Sequence, residues 1–167
     1  MSNQMYVDPI LKKYADIITA ANKEIKMVYY GDPIRIPASS LPALVIAKID
    51  TSVTNHSNVE DLHRMRISFT VVTDVRDTIA DDKTMVAGVN AMYNLMEGRE
   101  AGTYALREDS ILNILRTNVE LDSAQNLRTD LDSMTRVEYG MTVDKRSEAG
   151  WSIEGAIEVT AHFIQVR

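Results

Sequence analysis

From Trp151 to Val166 apolar and polar residues take turns: Trp151, Ile153, Ile157, Val159, Ala161 and Phe163 share one parity, and Glu154, Glu158, Thr160 and His162 share the other. A β-strand sends successive side chains to opposite faces, so this period of two predicts one long strand with a buried face and a solvated face. Such a strand needs neighbours on its edges and a second layer over its apolar face. The rest of the chain is therefore read for those partners.

A second alternation runs from Leu62 to Val75. Met65, Ile67, Phe69 and Val71 face one way, and Arg64, Arg66, Ser68 and Thr70 the other. Just before it, Ala43 to Asp50 is rich in branched residues and nearly all apolar, as expected of a strand covered on both faces. The polar stretch Thr51 to Glu60 reads as the loop joining these two strands into a long hairpin. From Arg136 to Asp144, Val137, Tyr139, Met141 and Val143 alternate with Glu138, Gly140 and Thr142. Lys145 to Gly150 then turns the chain into the last strand, which predicts a second long hairpin.

Helical spacing occurs elsewhere. Asp8 is placed to cap backbone donors and Pro9 suits a first helical position. Ile10, Leu11, Tyr14, Ile17, Ile18, Ala21, Ile25 and Val28 then recur every three to four residues, which predicts a helix running to about residue 28. Gly31-Asp32-Pro33, Pro37 and Pro42 make an irregular connector, because proline lacks a backbone donor. A second helix is expected from Lys83 to Glu97, with Met85, Val86, Val89, Met92, Tyr93 and Met96 on its apolar face and Gly98 after it. Core filling is the favoured role for these methionines over an adaptable partner groove. A short helix is expected at Ser110 to Leu115, and Arg116 to Ser133 reads mostly as loop with one short strand. The order predicts an α+β fold: a mixed, mainly antiparallel sheet of two long hairpins with helices packed on it, in one domain spanning 1–167.

Composition narrows the function classes. The chain is 45% hydrophobic and 25% charged, which suits an ordinary globular domain. No run approaches the roughly 20 apolar residues of a membrane span, and Met1-Ser2-Asn3-Gln4 lacks a secretory pattern, so no membrane partner and residence in the cytosol where it is made are expected. The Asn55-His56-Ser57 sequon carries no weight without secretion. With no cysteine, thiolate chemistry and disulfides are excluded. A net charge of −6 repels phosphate backbones, yet suits a surface that DNA must pass without sticking.

The residues of catalysis do not converge in the sequence. His56, His63 and His162 fall in no metal-binding spacing, and Asp81-Asp82 and Asp130-x-Asp132 lack the glycine turn and terminal Glu of a calcium loop. No Gly-x-Ser-x-Gly turn presents a nucleophile, and the scattered glycines form no phosphate cradle. No catalytic, metal or cofactor residue is therefore assigned. The candidates are interface residues: Arg64 and Arg66, expected to pair with Glu154 and Glu158 or with a neighbouring subunit's acids, and Asp74, Asp77, Asp81 and Asp82 in the acidic stretch after the hairpin. The Thr51 to Glu60 and Asp74 to Asp82 loops, long and polar, are expected to touch a neighbouring subunit.

This layout resembles the tail terminator proteins of tailed bacteriophages. The likeness rests on the early amphipathic helix, the Pro-led strand Pro42-Ala43-Leu44-Val45-Ile46-Ala47-Lys48-Ile49, the following loop, and the strand Arg66-Ile67-Ser68-Phe69-Thr70-Val71-Val72 ending in acids. The ending Gly155-Ala156-Ile157-Glu158-Val159-Thr160-Ala161-His162-Phe163 is similar too. It covers Pro42 to Gln165 apart from Glu100 to Ser133, in pattern and order and not in a diagnostic motif. The resemblance implies a structural virion protein that forms a hexameric ring, caps the last ring of the tail tube, ends its polymerisation and docks the head-tail connector, with passive DNA passage through the ring. Its partners would be copies of itself, the tail tube protein and connector proteins. Two alternatives stand beside this reading: a neck or head-completion connector protein, and a small-molecule enzyme using carboxylates such as Glu154 and Glu158.

Overall fold

A computed structural model describes residues 7–74, 84–134, 136–143 and 151–167. Helix α1 spans Pro9–Ala21, opened by the Asp8 carboxylate, which accepts the Ile10 N–H at 3.0 Å. It buries Leu11, Tyr14, Ala15 and Ile18. It stops seven residues short of the position that its apolar spacing suggested. Asn22 is extended there; its amide donates to the Asp109 carbonyl at 2.7 Å and its Oδ1 accepts the Glu24 N–H at 2.9 Å. An asparagine that bonds backbone outside the helix competes with continuing it. The residues beyond, Met27–Tyr30, form strand β1, so Ile25 and Val28 pack against the core from outside any helix.

The described strands make one sheet. Strand β2 is Ala43–Asn55, β3 Glu60–Asp74, β4 Glu120–Asp122, β5 Leu127–Asp130, β6 Val137–Val143 and β7 Trp151–Val166. Their order is β1-β2-β3-β7-β5-β4, with β6 also paired to β7. Only the β1/β2 pair is parallel, so the sheet is mixed and mainly antiparallel. Two helices, α2 (Thr84–Glu97) and α3 (Ile111–Thr117), join α1, and the α+β class holds. No helix among the described residues is long and apolar enough to cross a membrane.

β2 and β3 form the expected hairpin, but the strand runs on past Asp50 to Asn55, and only residues 56–59 turn. Thr51, Val53 and Thr54 are β-branched and suit a ladder even where water bathes both faces. The alternation that reports burial is absent there because nothing is buried. β7 pairs with β3 from Ser152 to Val166 and is shared on its other edge by β6, from Trp151 to Ile157, and by β5, from Thr160 to His162. The turn from β6 to β7, at 144–150, lies outside the described residues. The stretch expected to be mostly loop holds two short strands, β4 and β5, and two single turns of 3₁₀-helix.

All three helices lie on one face of the sheet, over Ile46, Met65, Ile67, Phe69, Val71, Ile153, Ile157 and Val159. The Tyr14 ring meets Phe69 edge-on at 5.1 Å, and its hydroxyl lies 2.6 Å from Thr129 Oγ1. Burial pushes this phenol up to about 12, against the opposing pull of that hydrogen bond. At Gly155 the side chains of α2 press close on the sheet, since a Cβ there would lie 2.8 Å from both Met92 Sδ and Met96 Cγ. Those two methionines are fully buried, as core filling predicts. The Met85 side chain lies outside the described set. At the root of β2 the opposite face is covered too: Ile36 and Leu41 of the connector pack on Ala43, Val45 and Val72.

Candidate functional site

Beyond this root the face opposite the helices is open, and strand pairing sets its charges in rows. One row reads Asp50, Arg66, Thr160 and Asp130 across β2, β3, β7 and β5; the next outward reads Ser52, Arg64, His162 and Arg128. Directly opposed residues in antiparallel strands have Cβ atoms roughly 4.5–5.5 Å apart, so partners in a row can touch.

Arg66 grips Asp50 through Nε at 2.9 Å and Nη2 at 2.6 Å, and reaches Glu158 at 3.7 Å. The guanidinium's hydrogen bond holds the Asp50 carboxyl below its usual range, and Asp50 in turn raises Arg66. The expected Arg66–Glu158 contact is therefore present but secondary to Asp50. Arg64 sits opposite His162 and makes no ion pair among the described residues. Glu154 lies half-buried opposite Val72 and Gly140, eight residues along β7 from His162, about 27 Å at strand rise, so Arg64 and Glu154 do not meet. Asp74 ends β3 opposite Ser152. Asp77, Asp81 and Asp82 lie outside the described residues.

A groove of about 330 Å³ opens on this face between β6 and β5, lined by Ser68, Ser133, Arg136, Glu138, Ala156 and Glu158. The Ser133 hydroxyl donates to the Asp130 carbonyl at 2.6 Å and accepts the Thr160 N–H at 2.8 Å. It is a structural tie between β7 and the turn after β5, with its proton already placed. Arg136 and Glu138 pair at 2.8 Å, both well exposed. On the helix side a second groove, of about 750 Å³, runs past Tyr93, Asn94 and Arg99. There Tyr139 donates to Glu97 at 2.9 Å, and burial followed by that carboxylate raises its phenol strongly. Among the described residues no group of three or more His, Asp or Glu side chains is placed to hold a metal.

Sequence reasoning expected the hairpin to project but read Thr51 to Glu60 as loop; as far as Asn55 the projection is strand. Past Ala47, β2 is exposed at every residue, with Ile49 at 42% and Val53 at 55%. β3 and β7 accompany it outward, and three contacts brace them. His63 stacks on Phe163 at 4.7 Å; Arg167 Nε holds Asp61 at 3.0 Å and lowers its carboxyl; the Arg167 N–H donates to the Val59 carbonyl at 2.9 Å. The turn after β4 is tied to α1 by the Lys13–Asp122 ion pair. The signal for the arm was the β-branched run Thr51 to Thr54, which polarity masked as loop. Compared with known proteins, the chain matches no family model and no curated protein.

Proposed function

We propose that the protein is a structural component of a tailed-phage virion, placed at the head-proximal end of the tail, where copies close into a ring, hexameric in the family it resembles. The ring ends tube polymerisation and receives the connector. The observation that carries this reading is the three-stranded arm of β2, β3 and β7, which projects past the helical layer with one face, one long edge and Ile49 and Val53 in solvent. Natural sheets cover or blunt such edges, so a long bare one is explained by a partner that covers it. A heterologous interface closes into a ring when its rotation closes, and the two unlike faces of that ring can end one polymer and dock another structure.

Within this reading, Arg64, Arg66 and Glu158 belong to the exposed sheet face offered to neighbours, and the acidic stretch holding Asp74, Asp77, Asp81 and Asp82 is a further contact for a neighbour or the tube. The net charge of −6 favours a lumen that DNA crosses without adhering. Electron microscopy of particles assembled without the protein tests the assignment. Overlong tails are expected; normal tails beside unjoined heads would transfer the protein to the neck, as a connector component.

A further inference from the structure

The root of the sheet, unlike the arm, is a block with two level ends. Its strands lie in the order β1-β2-β3-β7-β6, and their registers join into rows that cross the whole block. Met27, Ala43, Val72, Glu154 and Gly140 make one row; Tyr30, Ile46, Phe69, Ile157 and Val137 make another, three residues on. The outermost segments, Met27–Tyr30 and Val137 to Gly140, therefore stand at the same height. Neither pairs with a second strand among the described residues.

We infer that these two ends are the two halves of one seam: β1 of one copy adds to Val137 to Gly140 in β6 of the next, and the sheet runs on from copy to copy. The inference takes from the proposed function only that copies join head to tail. β1, β2 and β7 run one way and β3 and β6 the other, so the strands that meet are antiparallel. Keeping the height sets Met27 on Gly140, Val28 on Tyr139, Tyr29 on Glu138 and Tyr30 on Val137. The arm lies beyond this level and stays free for other contacts.

Backbone direction checks that register independently. The Gly31 N–H donates to the Ile46 carbonyl at 2.8 Å, so Ile46, and Leu44 two residues before it, face β1. In a parallel pair the residue level with a facing one turns away, which points the N–H and C=O of Val28 and Tyr30 outward. At the other end the Thr160 N–H donates to Ser133 Oγ, away from β3. Glu154 and Ala156 share its parity in an unbroken register and so face Gly140 and Glu138, which leaves Val137 and Tyr139 pointing outward. The level seam thus opposes outward-facing residues in both pairs, Val28 with Tyr139 and Tyr30 with Val137, and each pair can exchange two hydrogen bonds. A slip of one residue would set outward-facing groups against inward-facing ones.

The side chains agree. Val28, Tyr30, Val137 and Tyr139 all pack against the core under the helices, so the seam joins apolar to apolar on that face. Met27, 46% exposed, falls on Gly140, where an added Cβ would meet nothing within 4 Å. Glu138, the one charged residue in the two segments, stays on the open face with Arg136. Pairing β1 with a second β1, or β6 with a second β6, would follow a two-fold and stop at two copies.

The absence of cysteine permits a clean test. Met27→Cys and Gly140→Cys, both at exposed positions, are introduced together and the purified full chain is oxidised at high concentration. Across the seam their Cα atoms would lie about 4.5 Å apart, whereas within one copy four strand spacings, about 19 Å, separate them; a disulfide needs roughly 7 Å or less. The expected result is a reductant-sensitive ladder ending at a closed species from the double variant, monomer from either single variant, and loss of most of the ladder when Glu138→Cys, two residues out of register, replaces Gly140→Cys. Adding Val28→Pro removes an outward N–H at a sheet edge, and should abolish the ladder while circular dichroism shows the fold retained. Monomer from the double variant, a dimer in like yield from a single one, or a ladder that survives in a folded proline variant would overturn the inference; the cysteine pair decides it even where the proline variant does not fold. A closed ladder from a protein whose loss leaves tail length normal would keep the seam and remove the tail-end assignment, and overlong tails beside a chain that never cross-links would do the reverse.

Discussion

The two ends of β2 have the same backbone and opposite surroundings. Ala43 to Ile46 are buried on both faces, between the helical layer and the connector, while Lys48 to Asn55 are exposed on both. The same ladder with β3 runs through both halves. Strand pairing therefore does not require burial once a hairpin turn and a braced neighbour hold the register, and it is burial, not pairing, that separates the part of the strand that holds the fold from the part that is free to meet something else.

Substitutions along this axis test that separation. The largest effect is expected at Phe69→Ala, fully buried against Tyr14: a loss of about 3–5 kcal/mol in chemical denaturation. A loss below about 1 kcal/mol would mean that the root is not the core. Next, Gly155→Ala forces a methyl against Met92 and Met96 and should cost about 1–3 kcal/mol, softened to the extent that the thioethers give way. Tyr14→Phe leaves the buried Thr129 hydroxyl without its partner, for a similar loss of about 1–2 kcal/mol.

Tyr14 also sets an alkaline limit. Its folded phenol titrates near 12 against 10.0 unfolded, so the folded state holds the proton more tightly. Stability is then complete below pH 10 and falls as pH rises toward 12. Ultraviolet titration should show late-ionising tyrosines, of which the one near pH 12 is lost in the Tyr14→Phe variant while that of Tyr139 stays.

On the arm the expectation reverses. Val53→Ser should change stability by no more than about 0.5 kcal/mol, and a larger loss would show that the arm has a packed role in the isolated chain. The smallest effect is expected at Asp50→Asn. Its carboxyl is held below the unfolded value of 3.8, so whatever it contributes is present above that pH and lost as pH falls through the folded value; the pair is fully exposed and screened by water and salt. Acid-melting curves of the two proteins should differ only slightly above pH 4 and converge as the pH falls below the folded value.

Much of this architecture was legible because burial writes itself into the sequence. The one-sided strands β3 and β7 alternate cleanly, and Asp8-Pro9 fixes the start of α1. What was not legible lacked that imprint. The helical spacing of Ile25 and Val28 continued by coincidence past Asn22, whose side chain ends the helix through a carbonyl 87 residues away. Thr51 to Asn55 have no buried face and so no period. β4 and β5 are too short to show one, and their place is fixed by pairing with β7 and by the Tyr14–Thr129 contact, both long-range. Of the candidate interface residues, Arg66 and Glu158 were brought together as expected. The stronger partner, Asp50, was hidden because no residue pattern marks the register shift.

That shift lies at Ile49: Lys48 pairs with Ile67, but Asp50 pairs with Arg66, leaving one residue extra on β2. Such a residue bends its strand and increases local twist. If copies join edge to edge, the angle between successive subunits depends on that curvature, and the number needed to complete a circle follows from the angle. Removing Ile49 should then leave the hairpin intact but alter the circumference, which the mass of the closed species would reveal. One side chain in water would act as a gauge of diameter.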